Sequence, residues 1–241
     1  MKLSVVIPAY NDERHIGQTL GRLHSKLQAE NIEHELLVIH DECPGDRTEE
    51  IVKTLTAEIP TLRYVKRSPP RGFGLALRSG LEIFSGDAVT FFMSDGADSP
   101  EDLVLFWRTM EKEGVDCVFG SRFIPGGYMI NYPRVKHVLN RAGNIFIKFL
   151  FGFEYNDYTN AFKLYKRKVI EGVGPLLGRH FNFTVELVLK ALIRAYTFKV
   201  VPNSWRGRPM EESNFNVKKI VKLDLLTIFY CWIEKKILNN Q

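Results

Sequence analysis

Cysteine is scarce in this chain of 241 residues: Cys43, Cys117 and Cys231 lie far apart and in no Cys-x-x-Cys or Cys/His pair. That excludes a disulfide framework, suggests no zinc site and fits a reducing compartment such as the cytosol. Long apolar runs are missing as well. No stretch reaches the roughly 18 to 20 apolar residues that span a bilayer, and no charged leader with a cleavage site precedes the first apolar run at Leu3. The expectation is therefore a chain neither secreted nor integral to a membrane by its own segments. There is no Walker A loop and no G-x-G-x-x-G, which argues against an ATPase or a dehydrogenase. No recognised nucleic-acid-binding motif accompanies the basic residues, so nucleic acid is not an expected partner. The sharpest absence is local: from Cys117 to Phe153 there is no Asp or Glu, while Arg122, Arg134, Lys136, Arg141 and Lys148 are present.

What is there has the make-up of a folded globular chain with a sizeable core, 45% hydrophobic and 25% charged. The formal charge of +5 points to an anionic partner without separating lipid headgroups from nucleotide phosphates. Over the first 120 residues short β-rich runs (Leu3 to Pro8, Glu35 to His40, Leu62 to Lys66, Ala88 to Met93, Asp116 to Phe119) alternate with amphipathic stretches. Most of the runs are nearly continuous in apolar residues, as buried parallel strands are. Ile16, Leu20, Leu23 and Leu27 recur at helical spacing, and Ser99-Pro100-Glu101-Asp102 combines an N-cap, a proline at the first helical position and acids in the first turn. This βα series predicts an α/β fold, an open and mostly parallel sheet with helices on both faces. Further on, the pattern predicts a helix from Arg134 to Phe151, a strand over Ala161 to Tyr165, a helix from Phe183 to Ala195, a strand at Phe198 to Val201, a polar loop to Asn216 and a last helix from Lys218. One domain is expected, with a ligand-binding half over 1–125 and a second half over 126–241.

In open α/β sheets ligands bind at the carboxyl ends of the strands. Here those ends carry acids: Asp12 and Glu13 after the first strand, Asp41, Glu42 and Asp46 after the second, Asp95 and Asp98 after the fourth. Three acidic turns on one rim repel one another unless a cation or hydrogen-bond donors lie among them, and a divalent ion bridging nucleotide phosphates meets that need. Helix N-capping is the competing reading for Asp12 and Asp46. The Arg71-Gly72-Phe73-Gly74 turn, opening a helix, is able to receive an anion.

The blocks VVIPAYND, VIHDECPGD, RGFGLALRSGL, FFMSDGADSPEDL and VFGSRF, in that order, resemble the inverting family-2 glycosyltransferases of the GT-A type. Tyr132-Pro133, Asn140 to Asn144, the Asp157 to Phe162 block, Phe181 to Glu186 and Val201 to Ser213 resemble the polyprenyl-phosphate, dolichol-phosphate mannose synthase-like branch of that family. The resemblance implies a Rossmann-like GT-A fold with C-terminal amphipathic helices, and transfer of a hexose from a GDP- or UDP-linked donor to a polyprenyl phosphate with inversion, using Mg²⁺ or Mn²⁺. It assigns Pro8, Tyr10, Asp12, Asp41, Asp46 and Arg71 to the nucleotide sugar. Asp95 becomes the principal metal ligand, with Asp98 as a second contact, and Arg122 meets phosphate. Lys136, Asn140, Arg208 and Ser213 receive the acceptor phosphate. At the metal site the chain departs from the family pattern, since Met93 stands where the first Asp of Asp-x-Asp is usual.

An acceptor phosphate is already ionised at neutral pH and needs no general base, whereas a sugar hydroxyl does. The cationic set favours the former, while a family-2 enzyme acting on a saccharide hydroxyl is the alternative. A non-catalytic nucleotide-sugar-binding relative is a third reading, resting on Met93. The acid-free helix and the last helix pair large apolar residues with lysines and arginines, as interfacial helices on an anionic membrane do, which would make the protein peripheral on the cytoplasmic face. Ordinary packing of both helices on the sheet remains the competing reading.

Overall fold

The computed structural model describes residues 1–207 and 217–238. Its first half follows the expected series: β1 (Leu3–Ala9), α1 (Ile16–Ala29), β2 (His34–Asp41), α2 (Thr48–Leu55), β3 (Leu62–Arg67), α3 (Phe73–Ile83), β4 (Ala88–Phe91), α4 (Pro100–Glu113) and β5 (Cys117–Ser121). There follow β6 (Tyr128–Ile130), α5 (Arg134–Phe151), β7 (Lys163–Lys166), α6 (Arg167–Gly172), α7 (Asn182–Ile193), β8 (Phe198–Pro202), β9 (Ser204–Arg206) and α8 (Val217–Leu238). The sheet order is β3-β2-β1-β4-β7-β5-β8. β1 pairs in parallel with β2 and β4, β2 with β3, and β5 with β8, while β7 runs antiparallel between β4 and β5. The short β6 and β9 form a separate parallel pair.

Both faces of the sheet are buried, which is why the strands read as unbroken apolar runs. Successive side chains of β1 point opposite ways: Val5 and Ile7 join the core under α1 and α4 with Leu20, Leu23, Phe106 and Trp107. Val6 joins the other core with Leu77, Phe91, Phe183 and Leu187, from α3, β4 and α7. Helix α4 begins where its capping signal stands: the Ser99 hydroxyl accepts the Glu101 N–H at 3.2 Å, and Gly114 ends the helix at φ 67°.

The elements absent from the sequence expectation are β6, α6 and β9. Each is too short to show a period; β6 and β9 have three residues each, and their strand pairing comes from one another, far apart in sequence. The two C-terminal helices divide between the readings offered for them. Ile147 and Phe151 of α5 and Ile228 and Cys231 of α8 are buried in the core under α7. The opposite faces are apolar and open, with Val135 at 74% and Phe149 at 89% exposure, joined by Leu226 and Phe229. Between the helices runs an apolar groove of about 330 Å³, lined by Phe146, Leu150, Leu225, Ile228, Phe229 and Trp232. Among the described residues no helix is long and apolar enough to cross a membrane.

Candidate active site

The turns after β1, β2 and β4 meet at one edge of the sheet, and hydrogen bonds within the chain occupy most of their carboxylates. Asp12 joins two turns: its Oδ2 accepts the Tyr10 N–H at 2.9 Å and the Ser94 hydroxyl at 2.7 Å. Its backbone carbonyl accepts the His15 and Ile16 N–H groups at the start of α1. Asp46 accepts the Thr48 N–H and hydroxyl at 3.0 and 2.7 Å, the Asn11 N–H at 3.1 Å, and faces His40 Nε2 at 3.2 Å. Burial acts to raise the Asp46 carboxyl, but the Thr48 and His40 contacts outweigh it and hold it below the usual carboxylate range. These contacts brace the turn.

Asp41 is likewise committed. It is buried, ion-paired with Arg67, and accepts the Gly72 N–H at 2.8 Å. The anion received by the Arg71-Gly74 turn is thus the protein's own carboxylate. The glycines there answer to close packing: a Cβ on Gly72 would lie 2.6 Å from the Arg179 carbonyl oxygen, and one on Gly74 would lie 2.7 Å from that of His180. What remains open at this corner is the half-exposed Tyr10 ring, with the Arg71 guanidinium 5.7 Å from its centroid. Pro8 is buried within β1.

After β4 the chain turns through Ser94-Asp95-Gly96-Ala97-Asp98, with Gly96 at φ 71°. Asp95 is partly exposed and accepts the Ala97 N–H at 2.9 Å. Asp98 is set deeper than Asp95. It is 5% exposed, lies under the turn with Oδ2 accepting the Met93 N–H at 3.2 Å, and burial pushes its carboxyl up to about 7. Met93 therefore contributes its backbone to the turn where the family pattern has a carboxylate. Among the described residues no group of three or more His, Cys, Asp or Glu surrounds a common point. The donor chemistry fits a hard divalent ion held by one protein carboxylate, Asp95, with phosphate oxygens completing its shell.

A second constellation starts at the end of β5. Arg122 is buried and bound to Asp157, Nε to Oδ2 at 2.8 Å and Nη2 to Oδ1 at 2.7 Å, and its N–H donates to Oδ2 at 3.0 Å. Burial alone would disfavour its charge; Asp157 more than offsets this and raises its pKa. One edge of the guanidinium is spent on this pair, which fixes the position of the Arg122 charge. The turn that carries Asp157 is itself tied down. Asn160 donates to the Gly120 carbonyl at 3.0 Å, and the buried Lys163 amine, pushed down to about 7 by burial, donates to the carbonyls of Tyr158 and Asn160.

Residues 132, 136, 140 and 144 recur every four positions through the loop and into α5, and the first two of this polar row, Tyr132 and Lys136, lie beside Arg122. Asn140 donates to the Tyr132 hydroxyl at 3.3 Å. Asn144 donates to Asn140 Oδ1 at 2.7 Å and to the Thr159 hydroxyl at 3.2 Å. Lys136 lies 5.6 Å from the Tyr132 ring centroid, its pKa lowered by burial and by the charge of Arg122. Strand β9 joins this constellation to the turn after β4: the Arg206 N–H donates to the Ala97 carbonyl at 3.0 Å, and the Trp205 ring meets Tyr132 edge-on at 5.0 Å. Arg208 and Ser213, expected at the same pocket, lie outside the described residues. Asp157, Tyr132, Asn144 and Lys163 were given no role from sequence; the four-residue spacing of the polar row was the signal available for two of them.

A doubly wound sheet with one antiparallel strand inserted, carrying an acidic turn after its fourth strand, defines a GT-A glycosyltransferase. The fold is that of glucosyl-3-phosphoglycerate synthase from Mycobacterium tuberculosis. The structure in complex with Mn²⁺, UDP and phosphoglyceric acid aligns at TM-score 0.70 with 19% identity, covering 96% of this chain and 78% of that one. The structure of the same enzyme with Mg²⁺ and UDP aligns at TM-score 0.69 with 19% identity, covering 95% and 79%. Residues 4–174 match the model of glycosyl transferase family 2, and the chain belongs to that family. It is similar to the undecaprenyl-phosphate mannosyltransferase of Micrococcus luteus, 27% identical over 222 residues, covering 90% of this chain and 88% of the relative. It also resembles the polyprenol monophosphomannose synthase of Mycolicibacterium smegmatis, 28% identical with coverage of 90% and 82%. The dolichol-phosphate mannosyltransferase of Pyrococcus furiosus is 28% identical over 194 residues, covering 79% of this chain and 53% of that relative.

Proposed function

We propose that this glycosyltransferase moves a hexose from a GDP- or UDP-linked donor to a polyprenyl phosphate, with inversion at the anomeric carbon. The observation that carries the reading is the polar row that starts beside Arg122 and runs into α5, a set of held cations and amides beside the Asp95 turn and next to exposed apolar helix faces. Relatives named for mannosyl transfer to polyprenyl phosphates support it. Asp95 would hold Mg²⁺ or Mn²⁺, which supplies charge stabilisation for the departing nucleoside diphosphate. Tyr10 offers a ring face for the base, with Arg71 beside it. Asp12, Asp41 and Asp46 keep the turns in register. Arg122, Lys136 and Asn140 bind and orient the acceptor phosphate, whose ionised oxygen attacks without a general base. The exposed faces of α5 and α8 rest on an anionic membrane surface, making the protein peripheral on the cytoplasmic side.

The test is transfer of label from GDP- and UDP-hexoses with Mn²⁺ or Mg²⁺ into the lipid fraction, given a polyprenyl phosphate, with the anomeric configuration of the product read by NMR. Absence of lipid-linked label across the donor panel overturns the reading; label confined to a water-soluble saccharide replaces it with a saccharide acceptor.

A further inference from the structure

The Tyr132 ring has more charge around it than a packing residue needs. Its centroid lies 6.0 Å from the Arg122 guanidinium carbon and 5.6 Å from Lys136 Nζ, so one π-system serves two cations that approach from β5 and from α5. Like charges so placed repel: burial is the main cause that lowers the pKa of Lys136, and the charge of Arg122 lowers it further. The negative face of an aromatic ring offsets part of the repulsion without neutralising either charge. An acidic side chain in the same place would quench the cations and compete with an incoming anion.

The ring is also oriented. Asn140 holds its hydroxyl, Trp205 and His137 meet it edge-on at 5.0 and 6.2 Å, and Asn140 is in turn held through Asn144 to the Asp157 turn. Arg122 reaches the ring with one side of its guanidinium while Asp157 grips the other.

We infer that Tyr132 is a positioning residue that holds Arg122 and Lys136 together as a two-cation cup for a phosphomonoester. This rests on the acceptor-phosphate reading and names the residue that makes the cup possible. The shared chemistry is a phosphate dianion on a single ester oxygen, and its source is either a lipid or a soluble ester.

The test measures calorimetric binding of farnesyl phosphate and of glycerol 3-phosphate to the wild type, Tyr132→Leu and Tyr132→Phe, alongside KM for donor and acceptor. Tyr132→Leu is expected to weaken phosphomonoester binding about tenfold, the loss of two cation–π contacts, and to raise the acceptor KM with the donor KM unchanged. Tyr132→Phe keeps the π-face and is expected to stay within about threefold of wild type; it also guards against a folding defect in the leucine variant, which is checked by melting temperature. The inference is overturned if the wild type binds neither ester, if Tyr132→Leu binds as the wild type does, or if donor and acceptor KM rise together. If both esters bind equally and depend equally on Tyr132, the cup stands and the lipid assignment alone fails.

Discussion

Replacing Asp157 by Asn is expected to destabilise the protein by about 3 kcal/mol. The Arg122–Asp157 pair has side-chain exposures of 6% and 0%, two charge-assisted bonds of 2.7 and 2.8 Å, and a backbone N–H on the same carboxylate. Breaking such a pair strands a buried charge at a cost of roughly 3–5 kcal/mol. The amide keeps one acceptor oxygen but turns an NH₂ toward a guanidinium, which places Asp157→Asn at the lower end. For a chain of this size each kcal/mol moves the melting temperature by about 2–4 °C, so a fall of roughly 6–12 °C is expected by calorimetry or scanning fluorimetry. Removing both charges is different. An Arg122→Met, Asp157→Asn double variant should recover to within about 1 kcal/mol of wild type, because it strands no charge and the amide oxygen still accepts the backbone N–H at position 122. It should nonetheless lose acceptor transfer. A melting temperature within about 2 °C of wild type for Asp157→Asn would refute the reasoning, since it would mean that the pair is solvated in solution.

Asp95→Asn should keep the fold and abolish transfer, and it should remove the extra thermal stabilisation that Mn²⁺ adds to a nucleoside diphosphate; unchanged metal-dependent stabilisation would exclude Asp95 as the ligand. Lys163, held at about 7 by burial against an ordinary 10.5, is neutral in the folded chain above pH 7 and charged in the unfolded chain up to about 10.5. Stability is therefore expected to rise between those limits and to be flat with respect to this group below pH 7; Lys163→Met should lose that slope in urea midpoints taken at pH 7 and pH 9.5. A Phe149→Glu, Phe229→Glu variant should co-sediment less with phosphatidylserine vesicles at unchanged melting temperature, both side chains being open to solvent. Equal sedimentation would move the membrane contact elsewhere.

Much of the molecule was legible without coordinates because it is built from local periods. The apolar stretch from Arg134 to Phe151 is a helix with those ends, Ser99-Pro100 starts α4, and the unbroken runs before the acidic turns are strands buried on both faces. Order and spacing of these blocks also carried the family. The candidate site was legible only as a set of residue types at strand ends. Which acids stay accessible was not, because a carboxylate after a strand looks the same whether it is left partly exposed, as Asp95 is, or is buried closing a turn, as Asp46 is.

Sequence by itself determined the α/β series, the acid-bearing rim and the basic, acid-free helix, since each depends on neighbours within a few residues along the chain. Tertiary structure alone decided that Asp41 belongs to Arg67, that Asp98 lies under its own turn, and that Arg122 is held by a residue 35 positions away. The Arg122 pairing forms when β7 enters antiparallel between β4 and β5 and draws the Asp157 turn against the end of β5, and the Asp41 pairing forms when β2 and β3 align in parallel. The energies that fix them, desolvation and charge pairing in a shielded space, depend on distance through the fold and not on distance along the chain.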